Sequence, residues 1–304
     1  MLDKINALID DDVTDVSVSA ANGVWVQRDA GASRSELELS EHEVRQLAIN
    51  LIDMGGRHID EANPCVDVRL QDGVRVHAVL APLSVGGTEI SIRVPSLQIL
   101  NLDDLLRAGV LTATQHSFLA QSVHDRQTIM VTGSAGAGKT TLLAALMSLV
   151  RPSERIISIE DVAELRISHP RHVSLETRQA NSEGRGEISA AELIRQSLRM
   201  RPDRLIIGES RGREVLDMLR AFTTGHSGGG TTLHANSLED VPVRLDSLGA
   251  LAGMEPSALA RLAHSAIDLI VHIDRLGSDR KLTIGRFELD GEWLAIREIT
   301  LLDD

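Results

Sequence analysis

Several residue types that anchor or cross-link proteins are scarce in this chain of 304 residues. It has no tyrosine, and aromatic residues make up only 2% of it, so its cores must be packed with aliphatic side chains. Cys65 is the only cysteine, which excludes an intrachain disulfide and fits a reducing cytoplasm. No apolar run approaches the roughly 18 to 20 residues of a membrane-spanning helix. Any membrane role is therefore expected to be peripheral and to depend on a partner.

Positive charge is also in short supply. The net charge is −13, and only three residues are lysines. Nucleic-acid binding depends largely on phosphate neutralisation, and single-strand binding adds aromatic stacking, so this composition argues against a general DNA-binding or RNA-binding protein. The hydrophobic content of 42% is sufficient for real cores, and the length predicts about two domains.

The stretch 128–150 has the composition of a strand, a glycine-rich loop and a helix in succession. The pattern Gly-x-x-x-x-Gly-Lys-Thr in its middle is typical of a loop that binds the phosphates of ATP. Glycines let the backbone wrap closely around a polyphosphate, and the helix that follows turns its positive end toward the anion. Lys139, one of the three lysines, stands at the position that this pattern requires. The alternative to a phosphate-binding loop is a glycine-rich turn that fits the pattern by chance. The predicted nucleotide-binding residues are Gly133, Ser134, Ala135, Gly136, Ala137, Gly138, Lys139, Thr140 and Thr141.

Acidic residues follow the apolar run 156–159. Three carboxylates occur within five residues there, at Glu160, Asp161 and Glu164. The end of such a strand can lie beside the phosphate loop of an α/β sheet. These three acids, Glu160 and Glu164 among them, could therefore organise Mg²⁺ and its waters, with the hydroxyl of Thr140 as a further ligand. The alternative is an acidic helix N-terminus without a metal.

A second apolar run, 205–207, also leads to an acid. Gly208 stands where many nucleotide hydrolases place the aspartate that directs Mg²⁺, and Glu209 follows it. We predict that Glu209 polarises the attacking water. The acidic cluster after the earlier strand is predicted to fill the gap at Gly208.

Two histidines, His226 and His234, flank a run of glycines. A zinc site is disfavoured, because zinc needs more ligands nearby and this region has no cysteine. Structural histidines with satisfied hydrogen bonds are the alternative. Beside an ATP site, a histidine at the end of a strand can sense the γ-phosphate.

The first hundred residues have the pattern of a small α/β domain. Alternating valines around Asn22-Gly23 predict a β-hairpin at 13–26, and a capping box of Ser40 and Glu43 predicts a helix at 40–54. Three further alternating runs lie in 65–94. Their basic residues are out of phase with the apolar ones, so a sheet would present them on another face, either to solvent or to a nucleotide. These residues are Arg69, Arg75, His77 and Arg93.

We predict an N-terminal α/β domain at 1–95 with nucleotide-facing arginines, a linker at 96–111 that contains a short helix at 102–107, and an ATPase domain at 112–304. The capping box of Thr112 and Gln115 marks the start of the second domain. Its tail is predicted to hold a strand at 267–273 and a closing hairpin over 282–301.

Taken together, these motifs resemble the ATPases of type II and type IV secretion systems, over about residues 10–275. Within that superfamily they are most similar to the CpaF/TadA type, which serves Tad/Flp pilus assembly. The matching segments are RLQDGVRVHAVLAPLSVGGTEISIRVPS, GSAGAGKTT, SIEDVAEL, LETRQANSEGRGEI, LRMRPDRLIIGESRG and TGHSGGGTTLHANS.

The resemblance implies a RecA-like C-terminal motor domain and a smaller N-terminal domain in a homohexameric ring, with ATP held between the domains. It implies catalytic roles for Lys139, Glu160, Glu164 and Glu209, and for His226 and His234. Arg75 and Arg93 match arginines that reach the nucleotide phosphates. The implied partner is an inner-membrane platform protein, which would hold a cytoplasmic ATPase at the membrane. Any of Arg199, Arg201 and Arg211 is a candidate to act on the neighbouring subunit, and the role of Arg69 is left open.

Two other functions stay open at the level of sequence. One is a conjugation-associated or nucleic-acid-translocating motor, which the net charge of −13 disfavours. The other is a scaffold that binds ATP without hydrolysing it, which the intact Glu209 disfavours.

Overall fold

Contacts along the chain divide it into two units, Met1–Gln98 and Ile99–Asp304. The structure, a computed structural model, describes residues 2–10, 12–28, 31–70, 73–95, 99–178, 185–276 and 279–301. The matching segments at 69–96 and 175–188, and the start of the predicted linker, therefore fall partly outside the described residues.

The first unit contains a six-stranded antiparallel sheet with helix α2 against one face. Period-two alternation turns the valines and isoleucines of the strands toward this helix, which buries Val44, Leu47 and Leu51 in return. The predicted hairpin, the predicted helix and the three predicted strands are confirmed. The strand order is β3-β2-β1-β6-β5-β4. The elements are α1 (Leu2–Asn6), β1 (Val13–Ser19), β2 (Gly23–Arg28), β3 (Gly31–Arg34), α2 (Glu41–Met54), β4 (Cys65–Arg69), β5 (Arg75–Val79) and β6 (Glu89–Arg93).

Helix α2 begins and ends where its sequence predicts. The hydroxyl of Ser40 accepts a hydrogen bond from the N–H of Glu43, whose carboxylate accepts one from the N–H of Ser40. At the other end, a Cβ atom on Gly55 would lie 2.3 Å from Cβ of Val68, so the approach of the chain to the sheet requires glycine there.

The arginines of the first unit lie in one row across the sheet. Arg69 is opposite Arg75, Arg75 is opposite Arg93, and Arg93 is opposite Asp15 on the next strand. These positions alternate with the buried valines, so the row is on the face away from α2, as predicted.

The second unit has an eight-stranded mixed sheet in the order β14-β13-β12-β7-β11-β10-β8-β9. The strands from β9 to β12 are parallel, and β13 and β14 extend the sheet as an antiparallel hairpin. The elements are α3 (Leu102–Arg107), α4 (Ala113–His124), β7 (Ile129–Gly133), α5 (Lys139–Met147), β8 (Ile156–Glu160), β9 (His172–Glu176), α6 (Ala190–Ser197), β10 (Arg204–Ile207), α7 (Glu214–Thr223), β11 (Gly230–His234), α8 (Val241–Leu251), α9 (Pro256–Ala266), β12 (Leu269–Leu276), β13 (Asp279–Asp290) and β14 (Trp293–Glu298).

Apolar clusters cover both faces of this sheet. One cluster packs α6 to α9 against it, and the other packs α3, α4 and α5. The short helix predicted at 102–107 is confirmed, and it contributes Leu102 and Leu105 to the core of the second unit. The segment from Ile99 onward, which the sequence assigned to a linker, thus packs as part of that unit.

Because the inner strands are parallel, the loops that follow β7, β8, β10 and β11 leave the sheet at one edge, its carboxyl edge. Strand β11 lies between β7 and β10, and β8 is the next strand beyond β10. Within the described residues, no helix combines the length and apolar character needed to cross a bilayer.

Candidate functional site

The loop between β7 and α5, residues 133–140, is shaped to surround an anion. We call it the phosphate loop. Gly136 and Gly138 have φ angles of +69° and +102°, which side chains other than glycine rarely adopt. Among the described residues, the N–H groups of Gly136 and Gly138 and the hydroxyl of Thr140 enter no hydrogen bond. Donors of this kind before a helix N-terminus fit the phosphates of a nucleotide.

Lys139 is folded back over this loop. Its ammonium group donates hydrogen bonds to the carbonyls of Gly133 (3.0 Å) and Ser134 (2.7 Å), and only 8% of the residue is exposed. Burial lowers the pKa of Lys139, and the carboxylate of Glu209 opposes that shift. The same ammonium lies 3.5 Å from Nδ1 of His234, the last residue of β11. Burial and then Lys139 lower the pKa of His234.

Glu160 occupies the space beside Gly208. A Cβ atom on Gly208 would lie 2.4 Å from Cγ of Glu160 and 3.1 Å from its Oε1. A carboxyl group from β8 therefore stands beside the end of β10, where the sequence lacks an aspartate. The structure corrects one detail: Glu160 does not follow a strand next to the phosphate loop, because β11 and β10 separate β8 from β7.

The two oxygens of Glu160 have different surroundings. Oε1 accepts hydrogen bonds from the N–H groups of Glu164 and Leu165, both at 3.0 Å. Oε2 is buried and has no hydrogen-bond partner among the described residues. Burial raises the pKa of Glu160 to about 7, against the effect of the two N–H donors. Only 6% of the residue is exposed.

Glu209 forms an ion pair with an arginine of its own chain. Its Oε2 accepts a hydrogen bond of 2.5 Å from Arg211, whose guanidinium also lies 3.9 Å from Asp161. The pKa of Arg211 is raised, first by its hydrogen bond to Glu209. In this structure Arg211 is thus paired within its own chain, although the sequence suggested it as a candidate for acting across subunits.

The predicted site residues are only partly brought together. Lys139, Glu209 and His234 gather at the carboxyl edge. His226 does not join them, because it lies in the turn before β11, at the amino edge of the sheet. Strand β11 has five residues, so its two ends lie roughly 13 Å apart. Within one chain, the prediction that both histidines serve one site is therefore corrected for His226. Its Nδ1 is buried and has no hydrogen-bond partner in the described part of the chain.

Arg75 and Arg93 belong to the first unit, and Arg199 and Arg201 belong to the second. Arg199 and Arg201 are exposed on the segment that leads into β10, which is on the amino side of the sheet. Neither is close to the phosphate loop of its own chain.

The fit of a magnesium ion depends on the protein oxygens at the carboxyl edge of the sheet. No group of three or more histidine, cysteine, aspartate or glutamate side chains that could hold a metal occurs among the described residues. Mg²⁺ at nucleotide sites is typically held by one or two protein oxygens together with phosphates and waters. The hydroxyl of Thr140 and Oε2 of Glu160 are oxygens of that kind.

A buried ionic cluster at the amino edge was not predicted. Arg204 is 2% exposed and forms two hydrogen bonds with Glu154, while Arg126 donates a third at 2.6 Å. Arg204 also donates to the carbonyls of Gly228 and Val123. Burial raises the pKa of Glu154, but Arg204 outweighs this, so that the pKa lies below its usual value. The only signal of this cluster in the sequence was Arg204, directly before the apolar run 205–207.

Arg280 also escaped prediction. It is on β13, and its Nε donates a hydrogen bond to the carbonyl of Ala137 in the phosphate loop. The sequence placed this residue just outside a hairpin with no expected role.

Known proteins resemble this chain in sequence and in fold. The family described as "Type II/IV secretion system protein" matches residues 2–281. The chain is 44% identical over 279 residues to the "Putative conjugal transfer protein Rv3659c" of Mycobacterium tuberculosis, covering 89% of this chain and 79% of the relative. It is 34% identical over 295 residues to the "Type IV secretion system protein PtlH" of Bordetella pertussis, covering 87% and 86%. Among solved structures, the pilus retraction motor PilT with bound ADP has the same fold, with a TM-score of 0.65 and 22% identity over 93% of this chain and 81% of PilT.

Proposed function

The chain belongs to the family of type II/IV secretion system proteins and is an ATPase, and we propose that it is the motor of a secretion or pilus-assembly machine at the inner membrane. The main support is the group of Lys139, Glu209 and His234 at the ends of β7, β10 and β11. A phosphate loop with a water-activating carboxylate beside it is what phosphoryl transfer to water requires.

Each residue of this group has a proposed role. The loop N–H groups and Lys139 bind the β- and γ-phosphates, so Lys139 must leave the carbonyls that it now contacts. Glu209 accepts the proton of the attacking water, and His234 contacts the region of the γ-phosphate. Glu160, supported by Glu164, and Thr140 would hold Mg²⁺, which would neutralise charge that develops on the phosphates.

The first unit is proposed to add cations. Arg75 and Arg93 are neighbours in the arginine row, and two adjacent cations suit an anion such as a phosphate group. ATP between the two domains would supply that anion, and the release of phosphate would let the domains move. A homohexameric ring would complete each site with an arginine from the neighbouring subunit, for which Arg199 and Arg201 are the candidates.

The machine itself is proposed more narrowly as a Tad/Flp-like pilus system of the CpaF/TadA type, with an inner-membrane platform protein as the partner of a cytoplasmic ATPase. A conjugation-associated motor is the second candidate, since a relative of 44% identity is named a conjugal transfer protein. A shift of a DNA fragment in a gel at physiological salt would favour the second candidate. The net charge of −13 favours the first.

Steady-state Mg²⁺-ATPase activity per protomer, measured over a range of protein concentrations, tests the proposal. Activity that rises with concentration and disappears in Glu209→Gln indicates a site completed between subunits. The matched control is Glu292→Gln, which makes the same change in an exposed turn. Activity that is independent of concentration would count against the ring. Tight ATP binding without turnover, even with the platform protein added, would support a scaffold instead.

A further inference from the structure

The hairpin of β12 and β13 packs against the phosphate loop. We propose that Arg280 is a positioning residue for nucleotide binding, acting through the peptide bond between Ala137 and Gly138. This inference rests on the proposed nucleotide site and adds to it a residue from the far end of the sequence.

The base of this hairpin is fixed to the strand that leads into the loop. His272 is 1% exposed, and its Nδ1 lies 2.8 Å from the hydroxyl of Thr132 on β7. Its Nε2 lies 3.2 Å from Asp274. A Cβ atom on Gly133 would lie 2.5 Å from the carbonyl oxygen of Ile273, so the two backbones touch at the start of the loop. The position of β12 relative to the loop is therefore well determined.

The hairpin places Arg280 against the middle of the loop. Nε of Arg280 donates a hydrogen bond of 3.2 Å to the carbonyl oxygen of Ala137. The same nitrogen lies 3.7 Å from the position that a Cβ atom on Gly138 would take. Directly across the strand pair, Arg275 lies equally close to the Cβ position of Gly136. Two cationic side chains of one hairpin thus lie beside two of the loop's three glycines with positive φ, Gly136 and Gly138.

The geometry of a peptide bond gives this contact a direction. In a trans peptide, the carbonyl and the N–H point to opposite sides. When Arg280 holds the carbonyl of Ala137, the N–H of Gly138 points away from the hairpin. This N–H has no hydrogen-bond partner among the described residues, so it remains available to an anion.

Holding this peptide has two effects on binding. Gly138 is flexible, so a fixed orientation of its N–H removes part of the entropy cost of ordering the loop around phosphate. A charged donor on the carbonyl also polarises the peptide, which makes its N–H a better donor. Both effects strengthen binding of the phosphates, and neither touches the attacking water. Loss of Arg280 should therefore change affinity for nucleotide and leave the turnover number unchanged.

The experiment uses the full chain and a fluorescent ADP analogue with excess Mg²⁺. We expect Arg280→Met to raise the Kd of the analogue and the KM for ATP by about tenfold, because a hydrogen bond to a charged group is lost. The kcat should stay within twofold of the wild type. Arg280→Lys restores a charged donor and should return Kd to within about threefold. Lys281→Met removes the same charge from the next, exposed residue of β13 and should change neither quantity.

The results separate this inference from the proposed function. If the wild type binds the analogue and Lys139→Ala does not, the nucleotide site stands, and Arg280→Met then decides the role of Arg280. An unchanged Kd in Arg280→Met would overturn the inference. A fall in kcat of about tenfold with an unchanged KM would overturn it as well. If Arg280→Met fails to fold, Arg280→Gln replaces it in the same comparison. A wild type that binds no nucleotide overturns both proposals.

Discussion

A Cβ atom on Gly208 would lie 2.4 Å from Cγ of Glu160. The carboxyl group of Glu160, at the end of β8, therefore occupies the space that a side chain at the end of β10 would need. An aspartate at 208 and a glutamate at 160 cannot occupy this space together.

The first prediction concerns this exclusion. Gly208→Ala should destabilise the protein by about 1–3 kcal/mol, because it overpacks a filled site. Adding Glu160→Ala should remove much of that cost, giving a coupling of about 0.5–3 kcal/mol in a double-mutant cycle measured by urea unfolding. Gly86→Ala is the matched control, because its Cβ would meet its neighbours at 3.6 Å. Additive effects of the two substitutions at the site would contradict the arrangement.

The second prediction concerns pH in the absence of nucleotide and Mg²⁺. The pKa of Glu160 is raised from 4.5 to about 7 by burial, so the folded state binds more protons than the unfolded state between these values. Stability should therefore fall as pH rises from about 4.5 to 7, and the loss should level off above pH 7, reaching an order of 3 kcal/mol.

Glu160→Gln should remove this contribution, since the amide does not titrate. The free energy of unfolding of the wild type, measured relative to this variant at each pH, is the quantity to follow. A difference that does not change between pH 5 and 8 would show that Glu160 titrates normally.

The sequence predicted the local parts of this molecule well, because their signals are short in range. Alternating apolar residues, capping boxes and the glycine pattern of the phosphate loop depend on neighbours within a few residues. The helix at 102–107 and five of the six strands of the first unit were found in this way, whereas β3 was missed. Helix α9 was missed, although Pro256 at its first turn is a typical start signal. Strand β9 was missed because its residues are only partly buried.

The order of strands could not be predicted in the same way. The sequence places Glu160 closest to the phosphate loop along the chain, but β11 is inserted beside β7, so His234 and not Glu160 lies next to Lys139. The two histidines were grouped because they flank one glycine run, yet a strand between them separates them to opposite edges. The contact of Arg280 with Ala137 joins residues more than a hundred positions apart. It depends on the parallel pairing of β12 with β7 and on the antiparallel register of β13 against β12.

The third prediction compares a buried ion pair with an exposed one. Glu154→Gln should cost about 3–5 kcal/mol of stability, because it leaves the 2% exposed Arg204 without its counter-charge. Arg211→Gln breaks the pair with Glu209, whose side chains are 57% and 27% exposed, and should cost less than about 1 kcal/mol. Urea unfolding of the two variants gives the comparison. Similar losses in both would mean that the cluster around Arg204 is better solvated than its burial indicates.

The fourth prediction concerns the charge of His234. Burial and the ammonium of Lys139 lower its pKa, so the imidazole is neutral at neutral pH. With Nδ1 facing the ammonium at 3.5 Å, the proton of the neutral ring belongs on Nε2, which leaves an N–H donor for a phosphate oxygen. Lys139→Met should raise the pKa of His234, because it removes the charge that most opposes protonation of the ring.

Titration of the imidazole signals by NMR measures this shift. Lys281→Met is the control, because it removes the same charge from an exposed residue and should leave the titration of His234 as in the wild type. A higher pKa in Lys139→Met alone would show that the two side chains interact directly. Because a protonated ring would repel Lys139, activity should then fall on acidification as His234 gains its charge. An equal pKa in all three proteins would mean that the charge of Lys139 does not affect the pKa of His234.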